Sequence, residues 1–375
     1  MSSPPRVLVS GYYGCGNAGD EAMLAGLIEG FRQLAPQAEL VVLSGNPAGT
    51  TAEHGVMAVP RGLRSTWRQV RMSDLLVSGG GGLLQDVTSW RSPLYYLAVM
   101  QFARWARRPA AGTPPVVCIG QSVGPLRRPL IRRLARAVLS GVQVIAVRDG
   151  RSRERVRELG LAREVEVTAD LAFLLPAPKE DEIAAARRLV GLPEEAGPVA
   201  AIALRPSPAE GPRDLASRLG AAIGGACDEL GLKPVLLAMQ RSQDLGFARL
   251  AAAAMPVEAV IAPPMSARQL LALTAGCDLV IGMRLHALIF GALAGVPLVG
   301  ISYDPKVDGL MEQLGLRAAT LLERFDGSAL SRSIIETWQR RGEMARSLAG
   351  RAERLRAMAL RNVALALSAL PRQRQ

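Results

Sequence analysis

Histidine, lysine and strand-end arginine side chains are the groups in this sequence best suited to acid–base chemistry and anion binding. The 375-residue chain has two histidines, His54 and His286, and three lysines, Lys179, Lys233 and Lys306. A general acid–base step that used imidazole would therefore depend on one of two side chains. Their positions relative to the predicted strands and helices distinguish them.

Residues 278–291 predict a short strand followed at once by a helix, with Arg284 and His286 in the first helical turn. Helix N-termini favour anions and disfavour imidazolium, so His286 is expected to be neutral and able to act as a base. His286 is therefore the candidate catalytic residue, and a purely structural histidine is the alternative. His54 lies in a stretch without comparable features.

Three other cations, Arg148, Arg205 and Lys306, stand at or just after the ends of predicted strands. The planar guanidinium group binds a carboxylate or phosphate through two hydrogen bonds, and the lysine ammonium is a compact charge suited to phosphate. Together with Arg284, these residues predict a site for an anionic substrate. A surface ion pair between Arg148 and Asp149 is the alternative for that arginine.

The segment after the first predicted strand, residues 11–21, contains a G-x-G-x-x-G pattern before a helix. A dinucleotide site would also need an acidic residue at the end of the second strand, where this chain has Ser44. The loop is also too long for that turn, so NAD binding is not expected. We expect the segment to place Asn17 and Asp20 at a ligand site, with a simple helix N-terminal charge as the alternative for Asp20.

Two further segments follow predicted strands and carry candidate ligand-binding residues. Four consecutive glycines, including Gly80 and Gly81, allow a ligand or another backbone to approach closely, with a tight turn that binds nothing as the alternative. Gln121 is suited to bind a sugar hydroxyl or to tie down its own loop. Asp170 occupies the corresponding position after a later strand.

Short β-branched or leucine-rich segments alternate with segments of helical length, which predicts parallel β/α units. A proline-rich acidic stretch between Pro176 and Pro198 marks a boundary, so we expect domains over residues 1–176 and 177–375. The predicted fold class is α/β, with two doubly wound, Rossmann-like domains facing across a cleft. Whether the last helix packs back on the first domain stays open. The predicted strands are Val7–Ser10, Leu40–Leu43, Leu75–Ser78, Val116–Ile119, Val144–Val147, Val165–Thr168, Val199–Leu204, Val235–Ala238, Val260–Ile261, Leu279–Ile281 and Leu298–Ile301.

The formal net charge of +12 comes mostly from arginine. An excess of arginine over lysine is typical of a GC-rich genome, and a surface that attracts anions is the functional alternative. Arg128, Arg132 and Arg136 at helical spacing, and the basic stretch from Arg351 to Arg361, would suit an anionic membrane surface, unless they are simply solvated. Aromatic residues do not interleave with these runs along the sequence, which argues against a single-stranded nucleic-acid platform.

The sequence predicts neither a membrane-spanning helix, which needs ~20 apolar residues, nor an N-terminal signal peptide. Four widely separated cysteines suggest neither a zinc site nor a disulfide framework. We therefore expect a cytoplasmic protein, peripheral at most on the inner membrane face, that needs no metal or cofactor.

The segments GYYGCGNAGDEAML, SGGGGLLQD, GQSVGP, VRD, TAD and MRLHALIFGALAGVPLVGISYDPK occur in this order along the chain. As a set they resemble the polysaccharide pyruvyl transferases, and most of all the bacterial cell-wall branch called CsaB. The resemblance extends from Val7 to about Leu310. It implies a GT-B-like fold and transfer of a pyruvyl group from phosphoenolpyruvate to a sugar as a ketal.

Carried over by position, Arg148, His286 and Lys306 match the family's phosphoenolpyruvate-site arginine, histidine and lysine. In the CsaB branch the expected acceptor is an N-acetylmannosamine unit of a lipid-linked wall-polysaccharide precursor. We expect the first domain to bind the acceptor and the second the donor. The candidate acceptor-binding residues are Asn17, Asp20, Gly80, Gly81, Gln121 and Asp170. The acceptor sugar, the ketal linkage and stereochemistry, and the oligomeric state stay open.

Two alternatives to pyruvyl transfer remain at this point. A nucleotide-sugar glycosyltransferase of the same fold would need a ribose-binding acidic residue after the last strands, for which Asp304 and Asp308 are the candidates. A non-catalytic anion or nucleic-acid binder is the alternative outside the enzymes. For nucleic acid we expect only salt-sensitive, sequence-independent binding.

Overall fold

The computed structural model describes residues 4–87, 89–106, 112–193, 195, 197–207 and 210–370. Within it the chain forms two compact units, each with its own parallel sheet. The first unit consists of Met1–Gly16, Asp20–Leu175 and Leu355–Gln375, and the second of Asn17–Gly19 and Pro176–Arg354.

The central strands of both units are buried and apolar, as expected for parallel sheets covered by helices on both faces. Those of the first unit are β1 Arg6–Tyr13, β2 Glu39–Ser44, β3 Met57–Pro60, β4 Leu75–Ser78, β5 Gly81–Leu84, β6 Val116–Val123, β7 Val144–Val147 and β8 Glu166–Val167. Those of the second unit are β9 Val199–Ala203, β10 Lys233–Leu236, β11 Val260–Ile261, β12 Leu279–Gly282, β13 Leu298–Ser302 and β14 Thr320–Leu321.

Helices connect these strands, and a long helix ends the described chain. They are α1 Ala18–Leu34, α2 Pro47–His54, α3 Leu63–Met72, α4 Arg91–Trp105, α5 Pro129–Leu139, α6 Gly150–Arg157, α7 Glu180–Leu189, α8 Pro212–Leu230, α9 Arg241–Ala253, α10 Ala267–Ala275, α11 Leu285–Ala294, α12 Pro305–Gln313, α13 Gly327–Gln339 and α14 Arg341–Ser368. Among the described residues, no helix is both long and apolar enough to cross a membrane.

Both sheets have the strand order of the doubly wound Rossmann fold. The order in the second unit is β11-β10-β9-β12-β13-β14, and in the first it is β3-β2-β1-β4-β6-β7-β8, with β5 paired to β6. The order reverses between β9 and β12 in one sheet and between β1 and β4 in the other. Ligands of such sheets bind beyond the carboxyl ends of the strands at this reversal.

The structure corrects the predicted strands at several points. β3, β5 and β14 were not predicted, and the second half of the glycine run forms β5, with Gly81 opposite Gln121 of β6. Gln121 was placed after a strand, but β6 continues through it to Val123. Glycine has a low intrinsic preference for strands, so β5 depends on pairing with a neighbour that the local sequence does not reveal.

Candidate functional site

The carboxyl edge of the second unit's sheet gathers three of the predicted anion ligands. Arg205 follows β9, Arg284 follows β12, and Lys306 lies in the first turn of α12, just after β13. These strands are neighbours, in the order β9-β12-β13, and all run parallel. The fold therefore brings together three cations that are far apart in the sequence, at the reversal of strand order.

Tyr303 lies between two of these cations. Arg205 Nη1 donates a hydrogen bond of 2.9 Å to the Tyr303 hydroxyl oxygen. The guanidinium carbon of Arg205 lies 4.7 Å from the centre of the Tyr303 ring, and Lys306 Nζ lies 5.5 Å from it. Lys306 Nζ is also 3.6 Å from a carboxylate oxygen of Asp304. Sequence reasoning gave Tyr303 no role, although its position directly after a strand and near a lysine was visible.

The pKa of the Tyr303 phenol shows the local electrostatic field. Burial by itself would raise this pKa, but the positive charges of Lys306, Arg205 and Arg284 outweigh burial and lower it. The nearby Asp304 carboxylate acts in the opposite direction. The net downward shift means that this edge stabilises negative charge.

Arg284 is partly neutralised within its own unit. It forms an ion pair with the fully buried carboxylate of Asp244 on α9. The other Asp244 oxygen accepts a hydrogen bond of 2.8 Å from the backbone N–H of Gln240. Arg284 Nε is buried and makes no hydrogen bond to the residues that the structure describes. Asp244 therefore fixes the position of the guanidinium group.

His286 is the second residue of α11 and is half-buried. A Cβ atom on Gly19 would lie 2.1 Å from His286 Nδ1, so only glycine allows the backbone to pass this close to the imidazole. The segment around Gly19 is held by a 3.0 Å hydrogen bond from its N–H to the Asn17 side-chain oxygen, and by one of 2.9 Å from Ala18 N–H to the Met239 carbonyl. Asn17 thus belongs to the second unit, whereas the sequence analysis grouped it with the acceptor residues of the first domain.

Arg148 has different surroundings in the first unit. It follows β7, is 6 % exposed, and donates through Nη1 a 2.7 Å hydrogen bond to the buried carboxylate of Asp170. Its Nε lies 3.8 Å from Asp149, which caps α6. The other oxygen of Asp170 accepts a hydrogen bond from Ala172 N–H. The predicted anion ligand Arg148 and the predicted acceptor ligand Asp170 are therefore paired with each other.

The remaining acceptor candidates lie together at the reversal point of the first unit's sheet. A Cβ on Gly81, whose φ is +108°, would lie 3.0 Å from an oxygen of Asp20, and one on Gly80 would lie 3.1 Å from the Gly120 carbonyl. Gln121 is buried and donates through Nε2 to Ser78, with a 2.5 Å contact to its hydroxyl. This amide group therefore ties strands β4 and β6 together.

Two buried oxygens beside Gly79 have hydrogen-bonding capacity that the described residues do not use. They are Gln121 Oε1 and the hydroxyl oxygen of Tyr13. A Cβ on Gly79 would lie 2.3 Å from the Tyr13 hydroxyl, and the Gly79 carbonyl accepts a 3.3 Å hydrogen bond from Gln121. Both atoms belong to neutral polar groups that are buried within the first unit.

The second histidine has a structural environment in the first unit. His54 Nε2 and Glu21 Oε2 form a buried hydrogen bond of 3.2 Å, and Glu21 Oε1 accepts one of 2.8 Å from Gly14 N–H. Burial raises the pKa of the neighbouring Glu53, an effect that His54 opposes and Glu21 reinforces. Among the described residues, Glu21, Glu53 and His54 are the one group whose ligand atoms, all within 4.8 Å, could hold a metal ion. The hydrogen bonds that Glu21 makes to His54 and to Gly14 N–H also explain this pair as an anchor for the glycine segment.

The two doubly wound parallel sheets confirm the predicted α/β class with two Rossmann-like domains, as in proteins of the GT-B-like fold. Anabaena HepE in complex with UDP matches with a TM-score of 0.65 and 15 % identity over 98 % of this chain and 100 % of that one. The UDP-GlcNAc 2-epimerase of Neisseria meningitidis matches with a TM-score of 0.60 and 11 % identity over 97 % and 99 % of the two chains. Both similarities concern the fold alone.

The chain belongs to the polysaccharide pyruvyl transferase family, whose model matches residues 17–305. This confirms the family resemblance seen in the sequence and makes the protein a transferase. The amylovoran biosynthesis protein AmsJ of Erwinia amylovora is 24 % identical over 392 aligned positions, covering 87 % of this chain and 91 % of the relative. The assignment to the CsaB branch stays a prediction.

Proposed function

We propose that this protein transfers the pyruvyl group of phosphoenolpyruvate to two hydroxyls of a sugar, forming a ketal and releasing phosphate. The observation that carries the proposal is the cationic edge of the second unit, where Arg205 and Lys306 flank Tyr303 and lower its pKa against the effect of burial. The edge lies next to His286 at the start of α11. A dianionic or trianionic donor is the substrate that such an edge suits.

Phosphoenolpyruvate has a carboxylate and a phosphate, so its binding site needs several fixed hydrogen-bonding cations. In the proposal Arg205, Lys306 and Arg284 supply them, and the N-terminus of α11 adds the favourable end of a helix dipole. Arg148 is the family-matched arginine, and its buried bond to Asp170 gives it a structural role as well. No metal or further cofactor is part of the proposal.

In the proposed reaction, C3 of phosphoenolpyruvate gains a proton and becomes a methyl group. One sugar hydroxyl adds to C2 and a second hydroxyl then displaces phosphate from it. The two hydroxyls lose two protons, of which one balances the proton on C3 and the other leaves with phosphate. We propose His286 as the group that accepts a hydroxyl proton, a function typically worth about 10²–10⁴-fold in rate.

The proposed acceptor is an N-acetylmannosamine unit of a lipid-linked wall-polysaccharide precursor, as in the CsaB branch. Asp20 and the close backbone approach at Gly80 and Gly81 belong to the proposed acceptor edge, beneath which the side chains of Gln121 and Tyr13 are buried. A lipid-linked acceptor would place the protein in the cytoplasm, at the inner face of the membrane.

Nucleotide-sugar transfer is the alternative, since HepE and the Neisseria epimerase were solved with UDP and UDP-GlcNAc. Thermal-shift titration with phosphoenolpyruvate and with UDP-sugars distinguishes the two: we expect stabilisation by phosphoenolpyruvate. Release of inorganic phosphate that depends on both phosphoenolpyruvate and a lipid-linked sugar would then establish transfer. Stabilisation by UDP-sugars alone would contradict the proposal.

A further inference from the structure

Almost all of the net charge of this chain comes from one stretch of sequence. Residues 61–140 contain thirteen arginines, no lysine and two acidic residues, Asp74 and Asp86, which gives +11 of the chain's total of +12. A genome-wide preference for arginine would spread the excess along the chain. The concentration of positive charge in residues 61–140 therefore needs a structural explanation.

This stretch contains α3, α4 and α5, none of which has an acidic residue. The three helices bury Val70, Met100 and Ile131 in the same core cluster of the first unit, and α4 contacts both α3 and α5. They therefore lie side by side on one face of the sheet. We call their outward surface, with the preceding residues Val87, Trp90 and Arg128, the α3–α5 face.

The α3–α5 face exposes large apolar side chains. Trp105 is 63 % exposed and Leu130 is 64 % exposed. Trp67 of α3 packs edge-on against Phe102 at 5.8 Å, and Phe102 lies 6.4 Å from Trp105, so the aromatic row continues from α3 to α4. Three of the chain's four tryptophans are exposed on this face: Trp67, Trp90 and Trp105.

Arginines lie among these apolar groups. The guanidinium carbons of Arg91 and Arg128 lie 5.4 and 5.8 Å from the ring centre of Trp90. On α5, the exposed Arg133 stands between Leu130 and Leu134 on the outward side. The sequence expectation that aromatic and basic residues do not interleave is thus wrong in three dimensions, because folding brings together helices that are separated in the chain.

We infer that the α3–α5 face docks on an anionic lipid surface. Arginines on three helices that carry no acidic residue attract lipid phosphates, and tryptophan and leucine side chains insert at the boundary between headgroups and acyl chains. Tryptophan has a polar N–H on an apolar ring and is enriched at that boundary. A polyanion such as nucleic acid would use the arginines but would not need the exposed leucines and Trp105. The inference depends on the proposed function in one respect only, which is that a lipid-linked acceptor would lie at a membrane.

Co-sedimentation of the full chain with vesicles tests this inference without measuring transfer. We expect binding to phosphatidylcholine vesicles that contain phosphatidylglycerol, little binding to phosphatidylcholine alone, and loss of binding at high salt. Vesicles should also shift the tryptophan fluorescence to shorter wavelength, since three of the four tryptophans lie on the face. Because no donor or acceptor is present, failure of vesicle binding leaves the proposed transfer reaction standing, and the reverse also holds.

Three variants test which side chains of the α3–α5 face bind vesicles. Two of them remove the same number of charges, and the third removes none. R68Q/R71Q/R133Q removes three exposed arginines of the face, and we expect vesicle affinity to fall on the order of 100-fold. R188Q/R332Q/R346Q removes three exposed arginines of the second unit and should retain wild-type affinity. W105Q/L130Q keeps every charge and should still lose vesicle binding, with circular dichroism and thermal melting confirming that each variant is folded.

Several results would overturn the inference. Equal losses in the two arginine triple variants would mean that net charge alone drives binding. Full vesicle binding by W105Q/L130Q, or binding of a duplex DNA oligonucleotide in preference to the anionic vesicles, would identify a polyanion surface instead. Absence of binding to anionic vesicles by the wild-type chain at physiological salt would also contradict it.

Discussion

The carboxyl edges of the two sheets have the same strand order and opposite electrostatic character. In the first unit, burial and the carboxylates of Asp20 and Glu21 raise the pKa of Tyr13 well above its usual value. In the second unit, burial acts in the same direction on Tyr303, but the cations of Lys306 and Arg205 lower its pKa. One edge therefore disfavours negative charge and the other stabilises it.

The arginines of the two edges differ in the same way. Arg148 in the first unit is buried against the Asp170 carboxylate, so its charge is already compensated inside the protein. Arg205 in the second unit is half-buried and hydrogen-bonded to a phenol, so its charge is not cancelled by that partner. A position after a strand therefore does not by itself make an arginine an anion ligand. What the arginine already binds decides its role.

The two histidines give the largest expected contrast between the units. We expect His286→Gln to fold normally and to lose transfer by about 10²–10⁴-fold, because the proton acceptor is gone. His54→Gln should keep the activity of each folded molecule and lower stability, since it weakens a buried hydrogen bond to Glu21. Phosphate release per active molecule and thermal melting measure the two effects. A fully active His286→Gln variant would remove the catalytic assignment.

Substitution of Arg148 tests whether this residue, at the carboxyl edge of the first unit's sheet, has a structural role. We expect Arg148→Met to lower the free energy of unfolding by about 3–5 kcal/mol, because it leaves the buried Asp170 carboxylate uncompensated. Adding Asp170→Asn should restore part of that loss, and denaturant unfolding of the wild type, both single variants and the double variant measures the coupling. A variant with unchanged stability and a greatly raised KM for phosphoenolpyruvate would show that Arg148 serves mainly as a ligand.

The fold class and the cationic residues of the second edge could be predicted because local sequence determines them. Runs such as Val7–Ser10 are apolar and β-branched, so they predict strands, and Arg205 or Lys306 is assigned to a strand end by counting along the chain. The structure then places these ends side by side, since parallel strands bring their carboxyl ends to one edge.

What could not be predicted depends on tertiary neighbours. The pairing of Gly81–Leu84 with β6 and the partnership of Arg148 with Asp170 join segments whose distance is set by the fold. The role of Tyr303 was missed because its lowered pKa depends on Arg205, about a hundred residues earlier in the chain, as well as on the nearby Lys306. Its place directly after β13 was the available clue.

Lys306 tests whether the cations of the second unit's edge contribute to affinity for phosphoenolpyruvate. We expect Lys306→Met to raise the KM for phosphoenolpyruvate about tenfold or more, because one charge-assisted hydrogen bond to the donor is lost. Stability should change little, since Lys306 is part-exposed and its ion pair with Asp304 is a surface one. Lys233→Met, at the start of β10, is the matched control and should leave KM unchanged. A raised KM in both variants would point to a general charge effect.

Ionisation of the tyrosines gives the smallest effect and the most direct reading of the two edges. In an ultraviolet titration, we expect Tyr303 to ionise below the ordinary value of about 10 and this step to be absent from Tyr303→Phe. Because the folded-state pKa is lowered, the phenolate of Tyr303 stabilises the folded protein increasingly as pH rises from that lowered value to about 10, and contributes nothing at lower pH.

The tyrosines of the first unit should behave in the opposite sense. Burial raises the pKa values of Tyr12, Tyr13 and Tyr96, so these phenols stay protonated where unfolded tyrosine ionises, and they make the protein less stable as pH rises beyond about 10. Lys306→Met should move the Tyr303 step to higher pH and leave the other steps in place, because its charge acts on the second edge. If tyrosine ionisation below the ordinary pKa of about 10 persisted in Tyr303→Phe, the electropositive edge would have to be assigned elsewhere in the chain.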